Sequence, residues 1–272
     1  MAFVSMPWLS QLKSRSRSLL ARANLDLGKN NVAGCEANLI AIHQIGRLLA
    51  QEPKLIIYFS ALGIDRMADR GDRILLTAPG LNKRDAANYL RRLLHLPAMP
   101  TITAAIDIGE RMGQLDMCVS FYRDIFGNPE NNPGSADING RFFAKFINWN
   151  PTLVRFNRGF NLLDRYAAVP VYSRRAEQMQ AAMRTMAARI RRLRLGPFGQ
   201  TPNHIISQLL RSDFHDIPGA CRLAACEKAC TRLTRIGFAL AAYRLEHGGY
   251  PTALTELCPQ YLPTIPLNPL TG

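Results

Sequence analysis

The 272-residue chain has no run of about 18 or more apolar residues, which excludes a membrane-spanning helix of ordinary length. It has no CxxC and no spaced pair of cysteine pairs among its six cysteines, so a zinc ribbon is not expected. HExxH, GxSxG, P-loop and GxGxxG patterns are all absent, and with them the common signatures of metalloproteases, α/β hydrolases and nucleotide-binding folds. The opening MAFVSMPWLSQLKSRSRSLL does not read as a secretory leader. Its apolar start is short, polar residues interrupt it, and the basic residues follow it. There is no low-complexity tract and no convincing strand or hairpin pattern.

Lysine is also scarce: 6 residues against 28 arginines. The formal charge is nevertheless +14, from 34 basic and 20 acidic residues. Such an excess favours acidic partners such as nucleic acid, anionic lipid or acidic protein. Its spread along the whole chain equally suits solvated helix faces. Hydrophobic residues make up 47%, enough for a sizeable core.

What is present is helical periodicity. Pro7 opens a helix to about Leu27, with Gly28 closing it. Asn31 caps a second helix, whose Cys35, Leu39, Ile42, Gly46 and Leu49 form an apolar stripe. A third runs from Lys54 to about Thr77, apolar at first (LIIYFSALGI) and charged later (DRMADRGDR). Asn82, with Asp85 three residues on, opens a fourth that stops before Pro97. A fifth is expected from Thr101 to about Phe126, followed by a long loop over 127–140. Helices then follow Asn150 and Ser173, and a short one follows Pro202. The last long helix is expected from Pro218 to His247, with Gly248-Gly249 at its C-terminal turn. The expected fold is mainly α. An antiparallel multi-helix domain over 1–196 leads through a linker, 197–217, to a long helix and short tail over 218–272.

Few stretches offer chemistry. In IDIGERMGQLD, Asp107 and Glu110 stand three apart on one helix side, with Asp116 nearby. They form a candidate acidic site for general acid–base work or a divalent ion. The competing reading pairs Asp107 with Arg111, and has cross-helix contacts to arginines such as Arg47 or Arg66. Cys35 with His43, or Cys258 with His247, has no supporting spacing as a nucleophile and base. Cys226 and Cys230 share a helix face and read as small apolar packing. RTMAARIRRLRL ends a helix in Arg184, Arg191, Arg192 and Arg194, a candidate basic surface for phosphates or anionic lipid. No aromatic residue is interleaved there, so base stacking is not suggested. No catalytic residue, metal ligand set or cofactor site can be assigned from these patterns.

The most specific stretch is FALAAYRLEHGGYPTALTELCPQYLPTIPLNPLTG. It resembles the C-terminal part of type IV pilins and type II secretion pseudopilins. Tyr243, Gly248, Tyr250 and Pro251 match their helix-closing Tyr-x-x-x-x-Gly-x-Tyr-Pro pattern. Leu254 and Leu257 match the short leucine-rich segment. Pro266, Pro269 and Gly272 match the Pro-x-Asp-Pro-x-x-Gly turn, with Asn268 in place of the usual Asp. This resemblance covers residues 236–272.

AIHQIGRLLAQEP, LHLPAMPTITAAIDIGERMGQLD and FINWNPTLVRFNRGFNLLDRY look similar to a group of uncharacterised planctomycete-type bacterial proteins. Those proteins join a helical domain to such a tail, commonly after an N-terminal anchor. The resemblances imply strands beyond Gly272, an anchor before Met1, and partly bare faces at Ile236, Leu240 and Tyr243. They imply a non-enzymatic scaffold or interaction protein of the cell envelope, beside a secretion or pilus-type machine. Its partners would be other envelope proteins, reaching the membrane only through the anchor. The rival expectation is a cytoplasmic basic helical protein that binds nucleic acid.

Overall fold

A computed structural model of the chain describes residues 6–116, 120, 149–192 and 202–272. Among these the structure is mainly helical, with no strand. The chain forms two compact units, one from Met1–Pro100 with Leu223–Gly272, the other from Thr101–Arg222. This differs from the expected boundaries at 196 and 218. Packing, more than Gly and Pro content, decides where a compact unit closes.

The first unit contains α1 (Pro7–Gly28), α2 (Val32–Leu49), α3 (Leu55–Leu76) and α4 (Lys83–His95). Helices α1, α2 and α3 all pack on one another, and α4 packs on α2. Their starts follow local chemistry. The Asn31 side chain accepts from the Gly34 amide at 3.1 Å, and Asn82 accepts from the Asp85 amide at 2.9 Å. Leu39, Ile42, Ile57, Leu62, Ile64 and Leu75 form the apolar core, each at most 2% exposed. Two glycines allow close helix approach. A Cβ on Gly46 would lie 3.2 Å from the Ala61 carbonyl, and one on Gly71 would lie 2.2 Å from Leu39.

The second unit contains α5 (Ile102–Ala104), which runs on through a π-helical stretch, Ala105–Glu110. It also contains α6 (Trp149–Ala167) and α7 (Tyr172–Arg192). The expected fifth helix is thus interrupted by a widened turn, and its continuation past Asp116 lies largely outside the described residues. So does the expected 127–140 loop.

A long helix, α8 (Pro202–His247), contributes to both units. It takes in both the short helix expected after Pro202 and the one expected from Pro218. Most of the expected 197–217 linker is therefore helical. A proline inside a helix forfeits a hydrogen bond and costs about 3 kcal/mol. Here Pro218 lies inside the helix beside buried Ile217, Ala220 and Cys221.

After α8, Gly248 takes the left-handed conformation at φ 78°. The tail then folds back on the end of α8. A 3-10 turn, Leu254–Leu257, is fixed by Glu256, which accepts from the Thr252 and Ala253 amides and from the hydroxyls of Thr252 and Tyr243. Leu257, Tyr261 and Leu262 are buried, Tyr261 donates to Glu246, and the Tyr243 and Tyr261 rings meet edge to face at 5.9 Å.

Candidate functional site

Helix α3 carries Asp65, Asp69 and Asp72, spaced four and three apart. That spacing sets three carboxyl groups on one helix face. The face continues the apolar stripe of Ile57, Ala61, Leu62 and Ile64, so it points into the protein. All three aspartates are at most 1% exposed. Buried carboxyl groups require partners.

Helix α2 supplies two of them one turn apart. His43 Nδ1 lies 2.6 Å from Asp65 Oδ1, and Nε2 lies 3.0 Å from Asp72 Oδ2. With a carboxylate at each ring nitrogen, both nitrogens donate and the ring is an imidazolium. Burial alone would lower the His43 pKa. The hydrogen bonds from Asp65 and Asp72 outweigh it and raise the pKa to about 10. Arg47 donates from Nη1 to the same Asp65 oxygen at 2.5 Å and from Nε to the Pro97 carbonyl at 2.8 Å. Burial pushes the Asp65 pKa up, but His43 and Arg47 bring it below the ordinary value.

Helix α4 closes another side. Tyr89 donates to Asp72 Oδ1 at 2.5 Å, and its ring stands edge-on to Phe238 at 4.8 Å. Burial, then the Asp72 charge, drives the Tyr89 hydroxyl well above its usual pKa.

The remaining side comes from the later part of α8. Thr234 donates to Asp69 Oδ1 at 3.2 Å. Arg66 donates from Nε to Glu227 Oε2 at 3.0 Å, and Arg235 reaches the Leu93 carbonyl at 3.0 Å. Burial, then neighbouring charges, pushes the Asp69 pKa up to about 8, and burial also raises that of Glu227. Asp65 Oδ2, Asp69 Oδ2 and Glu227 Oε1 are buried without a hydrogen-bond partner.

This network joins α2, α3, α4 and α8 within the first unit, and it is closed to solvent. Arg66, 37% exposed, is the member that reaches the surface most. Two surface depressions among the described residues lie elsewhere. One is lined by Leu27, Val32, Ile74 and Pro79. The other, beside Trp8 and Leu48, holds a Lys54–Glu52 ion pair at 3.5 Å. Neither includes a group of the network.

The candidate residues read from sequence lie apart from it. Asp107, 45% exposed, accepts from Arg111 at 2.5 Å, the local pairing weighed as the alternative to an acidic site. Asp107 and Glu110 lie within the π-helical stretch. Its wider turn changes the angular relation that three-residue spacing has on an α-helix. Asp116 is exposed. Arg47 and Arg66, considered as partners for this segment, instead serve Asp65 and Glu227 in the first unit.

Arg184 is exposed on α7, whereas the side chains of Arg191 and Arg192, and the whole of Arg194, lie outside the described residues. His43 is committed to Asp65 and Asp72, which removes it as a general base for Cys35, itself pushed to about 11 by burial and nearby carboxylates. His247 stacks obliquely on Tyr243 at 4.3 Å.

In the tail, Leu257 and Pro269 are buried, Leu254 and Tyr250 are exposed, Pro251 and Pro266 are half-buried, and Gly272 has φ 109°. Ile236, Leu240 and Tyr243 are half-buried.

The buried network itself is not among the sites read from sequence. From sequence, DRMADRGDR reads only as the charged end of a helix. The signal is the four-and-three spacing of its aspartates in phase with the apolar stripe, together with His43 and Arg47 one turn apart on α2.

Comparison with protein-family models, curated proteins and solved structures gave no match. Among the described residues, no helix is long and apolar enough to cross a membrane.

Proposed function

We propose that the chain is a non-enzymatic helical scaffold or protein-interaction module, working with other proteins at the cell envelope. The observation that supports the non-enzymatic part is the closure of its densest cluster of titratable groups. His43, Asp65, Asp69, Asp72 and Glu227 are each at most 2% exposed and point at one another. Groups that act on a substrate must reach it; these groups hold helices together. Exposed apolar side chains that could meet a partner are spread over the described residues, from Leu25, Leu48 and Ile56 to Leu233, Tyr250, Leu254 and Leu267. The envelope assignment rests on the Tyr-Pro tail alone. Fractionation of cells producing the native protein tests it. Recovery with the envelope supports the reading, and recovery with soluble cytosol overturns it.

The charge of +14 and the exposed Arg184 favour a second reading, binding of nucleic acid through phosphates. Fluorescence anisotropy with a labelled duplex decides it. Binding that weakens steeply with salt supports this reading, and no binding at low salt removes it.

A further inference from the structure

We propose that Asp65, Asp69 and Glu227 form a binding site for one hard divalent cation of the Mg2+, Mn2+ or Ca2+ class inside the first unit. The three residues each offer a carboxylate oxygen, and these oxygens all lie within 4.8 Å of one another. Each residue is also more than nine-tenths buried and carries an oxygen with no hydrogen-bond partner: Asp65 Oδ2, Asp69 Oδ2 and Glu227 Oε1. Such a group costs about 1–3 kcal/mol when left unsatisfied, more when charged.

Most donors around the site are committed elsewhere, Arg235 Nε being the buried one left without a partner. His43 donates to Asp65 Oδ1 and Asp72 Oδ2, Arg47 to Asp65 Oδ1, Thr234 to Asp69 Oδ1, and Arg66 to Glu227 Oε2. Arg235 donates from Nη2 to the Leu93 carbonyl. A water molecule has two protons to give, and three orphan acceptors exceed that. A cation meets all of them at once.

Charge points the same way. The two fully buried basic groups, His43 and Arg47, face four fully buried carboxyl groups, Asp65, Asp69, Asp72 and Glu227, of which Asp69 keeps its proton up to about pH 8 until a cation displaces it. Arg66 and Arg235 lie at the edge and are more exposed. A dication supplies positive charge where the interior has least of it. The ligand atoms are all oxygens, which suits a hard ion over a thiolate- or imidazole-seeking one. The alternative trio of His43, Asp69 and Asp72 is also close enough, but both His43 nitrogens are already taken by carboxylates. Glu227 is held by Arg66, whose partial exposure gives the site one neighbour in contact with solvent. The site goes beyond the scaffold reading, which stands or falls separately.

The test uses the full chain, stripped with EDTA, dialysed, and titrated with MnCl2 while the free-ion signal is followed by electron paramagnetic resonance. One Mn2+ bound per chain, displaced by Mg2+ or Ca2+, is the expected result. Glu227→Gln and Asp69→Asn keep side-chain shape but remove a charged ligand. Each is expected to weaken binding about ten-fold or more, the least that loss of even an outer-shell partner costs. Asp107→Asn, on an exposed carboxylate of the other unit, is expected to leave binding unchanged. Melting followed by circular dichroism gives an independent readout, because Mn2+ should raise the melting point of the parent chain and of Asp107→Asn alone. If neither isosteric variant folds, the parent chain still decides: no saturable binding by about 1 mM Mn2+, the weak end of functional sites, overturns the proposal. Full-strength binding by a folded Glu227→Gln or Asp69→Asn overturns it equally.

Discussion

Asp65→Ala removes the acceptor shared by His43 and Arg47. In the parent chain Asp65 Oδ1 receives His43 at 2.6 Å and Arg47 at 2.5 Å, with the three side chains 1%, 1% and 4% exposed. The substitution leaves a buried guanidinium without a carboxylate partner, facing only the His43 and Pro97 carbonyls and the His43 Nδ1 at 3.2 Å. Breaking a buried pair from one side costs about 3–5 kcal/mol. A domain is stable by only about 5–15 kcal/mol, so the loss is a large share of the total. For a cooperative unit of this size it lowers the melting temperature by about 6–20 °C. Urea denaturation followed at 222 nm reads it as a lower midpoint with an unchanged slope.

Asp107→Ala is the internal control. Asp107 also pairs with an arginine at 2.5 Å, yet it is 45% exposed. With Asp107 open to solvent and Arg111, 16% exposed, also donating to Asn157, the loss should be about 1 kcal/mol, so burial and not distance should separate the two results. The double substitution Arg47→Met with Asp65→Leu should cost less than the sum of its parts by at least about 1 kcal/mol. A cost below about 1 kcal/mol for Asp65→Ala would refute the claim that the network holds the unit together.

Other outcomes follow from the same geometry. Glu36, 6% exposed, is pushed to about 7 by burial and by Asp85, with Arg92 opposing. Its folded pKa lies above its unfolded one, so its ionisation takes stability away as pH rises from about 4.5 to 7, by up to roughly 3 kcal/mol. Glu36→Gln should therefore be more stable than the parent at pH 8, with the difference shrinking towards pH 5 in urea midpoints. Tyr89→Phe keeps the ring against Phe238 but leaves Asp72 Oδ1 without its hydroxyl donor. It should cost about 1–3 kcal/mol by the same measurement. Phe238→Ala empties a fully buried site and should cost about 3–5 kcal/mol.

Much of the first unit was legible because local rules govern it. The Asn31 and Asn82 caps, the α2 stripe and the Gly248 turn follow from side-chain chemistry within a few residues. The π-helical stretch at Ala105–Glu110 and the run of α8 through Pro218 were not legible. Neither follows from the local signal: one is a widened turn, the other a proline tolerated inside a helix. The buried network was half legible. Its three aspartates share a helical face by spacing alone. That this face points inward depends on His43, Arg47, Tyr89 and Thr234 arriving from three other helices. Glu227 is the extreme case, since Arg66 meets it from 161 positions away in sequence.

Native-state hydrogen exchange read by mass spectrometry tests the central claim most directly, because it asks whether the charged network is a closed fastening or an opening site. The account predicts that amides of α2 and α3 around His43 and Asp65–Asp72 are the slowest in the chain, exchanging only with global unfolding of the first unit. Exchange there as fast as in the exposed turns of α1, with the protein still folded, would contradict it.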